Sequence, residues 1–411
     1  MNSTAARPGR TALRLACLLP LAAAFAPAAD PGPQLEHVVL HRDDTQYYLG
    51  PSLCLLPGGE ILLALREAHA RPPGRQGHTD LTARSVLLRS RDGGRTFGGK
   101  RVVNDESDFF SPSQDTTVTR LSDGSLLATF YTWRIAPHAT AASAPAGART
   151  RKPYTPVFEG LWTVRSTDDG RTWSPRRPVT LPGLPLAARA PVIELGDRSL
   201  LLIANDVRRD AKPRPWAGVY CLRSTDQGAT WTRHGTIGDG AAEGLHFLEP
   251  GWVRLRGGRI IALLRTRAEV EGAARELPPA GFLFQTVSGD DGRSWTKPVA
   301  TPIFGFPAHL LELADGRLLC AYGYRVPPFG VRATLSHDAG HTWDVAREIV
   351  VRDDGGTSDL GYPVSVQLAD GRVLMAYYFN QEQPGVPDST PRYIAGTFLR
   401  LPGRREPELT R

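Results

Sequence analysis

The sequence predicts an all-β fold, a six-bladed β-propeller closed by its own N-terminal strand. Three observations predict it. An apolar alternating run, a tight Gly/Asp turn and a second apolar run occur together six times: SLCLLPGGEILLALRE (52–67), TTVTRLSDGSLLATFY (116–131), PVIELGDRSLLLIAND (191–206), GWVRLRGGRIIALLRT (251–266), HLLELADGRLLCAYGY (309–324) and VSVQLADGRVLMAYYF (364–379). Between them S-x-D-x-G-x-[TS]-[WF] is spelled five times, as SRDGGRTF (90–97), STDDGRTW (166–173), STDQGATW (224–231), SGDDGRSW (288–295) and SHDAGHTW (336–343). Two interleaved repeats with a period of about 55–75 residues mark a circular or linear array of one supersecondary unit. Almost no segment sustains a helical period, and 42 glycines and 35 prolines punctuate apolar runs of strand length.

Residues 1–29 read as a secretory signal. Arg7, Arg10 and Arg14 supply the positive start, LACLLPLAAAFA (15–26) the apolar core, and Ala26 to Ala29 the small residues of a cleavage site. The apolar core is too short to span a membrane, so a secreted or periplasmic chain is expected. The propeller then occupies 30–402, with a tail at 403–411. Its first segment, EHVVLHRD (36–43), is a spare strand.

Each unit reads as four strands. The first two are the apolar pair, joined by turns such as Asp123-Gly124 and Asp315-Gly316. The third leads into the Ser/Asp/Gly/Trp motif and the fourth follows it. In that motif the Asp can accept backbone N–H groups, the Gly supplies positive φ and the Trp packs back on the sheet. The sixth unit lacks the motif and ends in YIAGTFLRL (393–401), so the spare N-terminal strand is expected to complete it. Strand direction places the first turns and the motifs on one rim. The longer connections 67–84, 132–161, 206–217, 266–281, 324–331 and 379–392 fall on the other, where function is expected. The stretch 136–153, rich in Ala, Pro and basic residues, is an insertion on that rim.

The net charge of +7 comes almost wholly from Arg, without a basic run or interleaved aromatics, and reads as general surface charge rather than a nucleic-acid footprint. Cys54, Cys221 and Cys320 each lie in an apolar run and are expected to be buried free thiols. No Cys/His spacing suits a metal and no Gly-rich loop precedes a helix, so neither metal nor cofactor is expected. A monomer is expected.

Taken together, the repeats resemble the sialidase (neuraminidase) superfamily over nearly all of the mature chain. The five Asp-box motifs carry the resemblance and are structural. The resemblance also implies site residues. Tyr362, in GYPVSVQL, resembles the tyrosine nucleophile. Glu249, in FLEPGWVRL, with Arg265 sixteen residues on, resembles the glutamate that activates the tyrosine and an arginine of the carboxylate-binding triad. Arg325 resembles the third arginine, with Arg332 as the competing choice. Asp80, ten residues before the first Asp-box, stands where the acid/base aspartate is found, and Asp115 where an aspartate contacts substrate. The sequence departs at the first arginine: Leu49 in Tyr48-Leu49-Gly50-Pro51 takes its place, leaving Arg66 or Arg189 as replacements from neighbouring positions.

The implied chemistry is coherent. Next to a carboxylate-bearing anomeric carbon a neutral tyrosine avoids the repulsion an anionic nucleophile would meet, and a phenol of pKa about 10 needs a base in contact. The expected partner is a glycan or acidic oligosaccharide. Structural uses stand beside these roles: Tyr362 as a strand cap, Glu249 as a solvated strand end, Asp80 as a surface carboxylate, His309 and His246 as packed histidines. Two other activities remain open, a lyase on uronate polysaccharide with Tyr362 or His309 as base, and a non-catalytic glycan-binding propeller.

Overall fold

The computed structural model describes residue 1 and residues 32–72, 79–109, 111–137, 154–207, 217–268, 278, 280–381 and 390–403. The expected signal peptide, most of the insertion at 136–153 and the tail beyond 403 lie outside the described residues. Six antiparallel sheets follow one another along the chain, each a blade. Blade one is Gln46–Leu55, Ile61–His69, Arg84–Ser90 and Gly98–Asn104; blade two is Ser113–Arg120, Leu126–Pro137, Tyr154–Ser166 and Arg177–Val179. Blade four is Leu245–Arg254, Ile260–Ala268, Phe282–Ser288 and Val299–Phe304, and blade five is Ala308–Glu312, Leu318–Tyr324, Gly330–Ser336 and Ile349–Arg352.

Blade three departs from the expected pattern. Its second to fourth strands, Leu200–Asp206, Val219–Ser224 and Thr232–Gly238, are regular, but the inner strand is split into Leu186–Ala187 and Ile193–Glu194. Residues 188–192 leave the ladder between the pieces, and Pro191 among them has no N–H to donate to it. Blade six, Gly361–Gln367, Val373–Phe379 and Tyr393–Arg400, is closed as expected by the N-terminal strand. Gln34–His41 pairs antiparallel with Tyr393–Arg400, Gln34 opposite Arg400 and Val39 opposite Ala395. Sewing the two chain ends into one sheet removes an open edge from the ring.

The core lies between blades. Each of the six apolar clusters among the described residues joins two neighbouring blades, such as Tyr48, Leu63 and Val86 of blade one with Leu374, Tyr378 and Phe398 of blade six. Second strands such as Leu200–Asp206 and Val373–Phe379 are buried along their whole length, which is why they read as continuous apolar runs. Cys54, Cys221 and Cys320 are buried and free; burial pushes the Cys221 thiol up to about 12.

The five Asp-boxes hold the hairpins between third and fourth strands. Asp338 accepts the backbone N–H of His341 and Thr342 at 3.0 and 2.9 Å and the Thr342 hydroxyl at 2.6 Å, while the Ser336 hydroxyl takes the Gly340 N–H at 2.7 Å. These bonds outweigh the opposing effect of burial and hold the Asp338 carboxyl down at about 2. The glycine also seats the turn on the preceding blade. At Gly340 φ is +86°, and a Cβ would stand 2.5 Å from Ile261 Cδ1 of blade four. Gly340→Ala is therefore expected to lower unfolding free energy by about 1–3 kcal/mol, read as a lower midpoint in denaturant.

Candidate active site

Pseudo-symmetry builds the site. Counting back five residues from the end of each inner strand gives a first ring of Gly50, Asp115, Arg189, Glu249, Pro307 and Tyr362. Counting five forward from the start of each second strand gives Arg66, Tyr131, Asn205, Arg265, Gly323 and Tyr378. Both rings lie on the rim of long connections. In blades one, two, four and six the register slips by one residue beside the first-ring position. Leu248 opposes Arg265 but Gly251 opposes Leu263, and Gly361 opposes Tyr378 but Val364 opposes Ala376. Such a bulge re-aims a side chain. The re-aimed residues carry positive φ, +50° at Asp115, +39° at Glu249 and +52° at Tyr362; five turn residues of the opposite rim do so too, but within the strands of the described residues these three non-glycine residues hold this costly conformation.

Tyr362 and Glu249 meet across this ring. The Tyr362 hydroxyl donates to Glu249 Oε1 at 2.8 Å, and Arg265 Nη1 donates to Glu249 Oε2 at 2.5 Å and to the Tyr362 hydroxyl at 3.3 Å. The Glu249 backbone N–H is held by Asn205 Oδ1 at 3.1 Å. Burial works to raise the Glu249 carboxyl, but the charge and hydrogen bond of Arg265, helped by Arg189, hold it down at about 2. Burial and then the Glu249 charge push the Tyr362 phenol above its ordinary value, against Arg265 and Arg325. The pair is a neutral phenol hydrogen-bonded to an ionised carboxylate.

Two more guanidiniums close on the same ring. That of Arg189 lies 3.9 Å from the Tyr362 ring centroid, and that of Arg325 lies 5.0 Å from it. Arg189 reaches Tyr362 from blade three because the inner strand opens there. Arg265 and Arg325 both stack on Phe306, at 4.3 and 5.7 Å. Arg325 is held by the Leu360 carbonyl at 3.0 Å and the Tyr378 hydroxyl at 2.7 Å. Arg332, the competing choice, pairs with Glu348 at 3.0 Å and stacks on Tyr324.

Other expected residues sit around this centre. Asp115 accepts the Tyr131 hydroxyl at 2.8 Å and contributes to the field at the Tyr362 phenol. Arg66, 1 % exposed, has Asp80 and Asp115 as charge neighbours. Burial and then Arg189 push the His309 imidazole down to about 4, so it is uncharged at neutral pH. His246 is a structural residue whose Nδ1 accepts the Ala217 N–H at 3.1 Å.

Two expectations change in the structure. Leu49 faces the core between blades one and six, and the bulge makes Gly50 the counterpart of Glu249 and Tyr362. A Cβ on Gly50 would stand 2.8 Å from Asp115 Oδ1, so this gap in the ring is space that Asp115 uses. Asp80 is buried and engaged: it accepts Arg71 Nε and Nη2 at 2.8 and 2.9 Å, the Thr82 hydroxyl at 2.7 Å and the Thr82 N–H at 3.0 Å. These bonds overcome burial and hold its carboxyl down at about 2, the ionised state rather than that of a proton donor.

Sequence reasoning missed Tyr131, Asn205 and Tyr378; Asn205 and Tyr378 are the second-to-last residues of their repeat copies, as Arg66 and Arg265 are, and Tyr131 is the last of its own. It also missed Asp359. This carboxylate accepts the Tyr47 and Tyr378 hydroxyls at 2.8 and 3.0 Å and Arg392 Nε at 3.0 Å, and so anchors the tyrosine that holds Arg325. Tyr47, Tyr378 and Arg392 are 3 %, 1 % and 3 % exposed. Asp359→Ala, which removes the acceptor these three buried groups share, is expected to destabilise the fold by about 2–4 kcal/mol, measured by thermal unfolding. Among the described residues no cluster of His, Cys, Asp or Glu could hold a metal ion, and no helix is long and apolar enough to cross a membrane.

Comparison with known proteins agrees with this architecture. No curated protein matches the chain. A protein of unknown function from Dyadobacter fermentans is 31 % identical, with 90 % of this chain and 100 % of that one covered and a TM-score of 0.74. The Hadza microbial sialidase Hz136 is 18 % identical, covering 85 % of this chain and 65 % of that one at a TM-score of 0.59. An alpha-L-arabinofuranosidase from Fusarium graminearum is 13 % identical, covering 89 % and 97 % at a TM-score of 0.58. The last two are likenesses of fold. The BNR repeat-like domain profile matches residues 139–375, more than half of the sequence, and the chain belongs to that family.

Proposed function

We propose that this chain is a retaining exo-glycosidase that removes a terminal sugar bearing a carboxylate beside its anomeric carbon, as sialic acid does. The observation that carries the reading is the Tyr362–Glu249 hydrogen bond at 2.8 Å with three guanidiniums around it. Tyr362 Oη attacks the anomeric carbon as its proton passes to Glu249, and the bond to the leaving oxygen breaks. Water then attacks the anomeric carbon and gives up a proton to solvent, the bond to Tyr362 Oη breaks, Glu249 returns its proton to the phenolate, and the configuration is retained. Arg189 and Arg325 take the substrate carboxylate with charge-assisted bonds, while Arg265 is shared with Glu249. Asp80 serves as acid only once Arg71 releases it, so substrates whose leaving group departs as a stable anion are turned over best. The signal read in residues 1–29 supports export to where glycan polymers occur, checked by N-terminal sequencing of protein recovered from the medium or periplasm.

The test is release of 4-methylumbelliferone from its sialic acid glycoside. Turnover supports the reading. No turnover by folded protein, with ultraviolet-absorbing products from uronate polysaccharide, supports the lyase reading instead, with Tyr362 or the uncharged His309 as base. Binding of glycan without either product leaves a lectin-like propeller.

A further inference from the structure

Away from the axial site, four arginines of two blades line one cleft. Arg89 is the second-to-last residue of the third strand of blade one, Arg91 follows that strand, Arg101 lies on the outer strand, and Arg171 comes from the Asp-box turn of blade two. Gly98 and Gly99 leave open space where side chains would stand. The Arg91 and Arg171 side chains are 78 % and 63 % exposed. Arg89 and Arg91 share one carboxylate, Glu60, at 3.1 Å each, and Arg171 has Asp169 at 3.9 Å. No ion pair to Arg101 is present among the described residues. The cleft therefore carries more cations than carboxylates. The Arg91–Glu60 and Arg171–Asp169 pairs are exposed and screened by water, so those two arginines yield readily to a competing anion, while Arg89 is held part-buried against Glu60.

We propose that this cleft is a second binding site, for a strand of anionic polysaccharide held through carboxylate or sulfate groups. Guanidinium forks match both groups in two-pronged geometry. Successive charges along one strand can satisfy arginines contributed by two blades, and the glycines leave room for sugar rings between them. A nucleic-acid strand is a poorer fit because the lining has no aromatic side chain on which bases could stack.

Fluorescence anisotropy of the full chain with labelled polygalacturonate, dextran sulfate and uncharged dextran tests this at physiological salt. Binding to at least one charged polymer and none to dextran is expected, and the polymer that binds distinguishes carboxylate from sulfate. Arg101→Glu with Arg171→Glu is expected to weaken binding about tenfold or more. The control Arg233→Glu with Arg347→Glu makes the same change in net charge on blades three and five and is expected to leave binding within about twofold. Equal loss in both doubles, or no binding to either charged polymer, overturns the proposal. Should the first double fail to fold, Arg101→Gln with Arg171→Gln reads the same comparison. Because neither residue touches the axial site, hydrolysis of the small aryl glycoside stays unchanged in the folded variants.

Discussion

Tyr362→Phe is expected to reduce turnover of the aryl sialoside by about a thousandfold or more while the protein stays folded. The substitution removes one oxygen and leaves the ring. The ring continues to pack against Tyr378, at 5.6 Å between centroids, and to carry the Arg189 and Arg325 guanidiniums. Substrate binding should therefore change little, with KM kept within several-fold. The loss falls on kcat because no atom remains to form the bond to the anomeric carbon. Wild-type protein treated with a fluorinated substrate that has a fast leaving group, so that the glycosyl-enzyme forms faster than it hydrolyses, should gain one glycosyl unit on the peptide containing Tyr362, seen by mass spectrometry, and Tyr362→Phe should gain none. Unchanged turnover in the variant would move the nucleophile elsewhere and leave Tyr362 a structural strand cap.

The repeats made the fold legible because propeller geometry imposes local chemistry on every blade. Buried second strands need apolar runs, such as LLLIAND, and each outer hairpin needs an Asp for its backbone amides and a Gly for positive φ. Tyr362 and Glu249 were legible because each stands two residues before its repeat copy, and Arg265 because it is the second-to-last residue of its copy, all on one rim. What was hidden depends on facts other than position in the repeat. A one-residue bulge turns Leu49 into the core and puts Gly50 in the ring, and a bulge leaves no mark in apolar alternation. Arg189 reaches the Tyr362 ring only because blade three opens its inner strand around Pro191. Asp80 reads as a loop carboxylate until Arg71, nine residues earlier, is seen to grip both its oxygens. Asp359 precedes its own inner strand, so no comparison of repeats singles it out, although it supports the Tyr378–Arg325 contact.

Glu249→Gln is expected to lower kcat/KM by about 10²–10⁴-fold, the usual contribution of a positioned general base. Burial and the neighbouring carboxylate already hold the Tyr362 phenol above its ordinary value, so phenolate is scarce unless a base takes the proton as the bond forms. Glutamine keeps the shape and can accept the phenol's hydrogen bond, but it cannot take the proton. It also leaves Arg265, 3 % exposed, without the carboxylate it holds at 2.5 Å. The variant should thus be less stable as well as slower, and the two effects separate by pH. A carboxylate held at about 2 in the folded chain, against 4.5 for an ordinary glutamate, contributes stability that is fully present above about pH 4.5 and is lost as pH falls towards 2. The stability gap between wild type and Glu249→Gln, measured by urea unfolding from pH 7 to pH 3, should therefore be constant down to about 4.5 and narrow below it. In wild-type enzyme the base stays ionised through the same range, so any acid limb of kcat/KM above pH 4 must belong to another group. A limb near pH 4.5 that disappears in Glu249→Gln, with a stability gap that does not narrow, would show that Arg265 fails to hold this carboxylate down and would remove the electrostatic basis of the assignment.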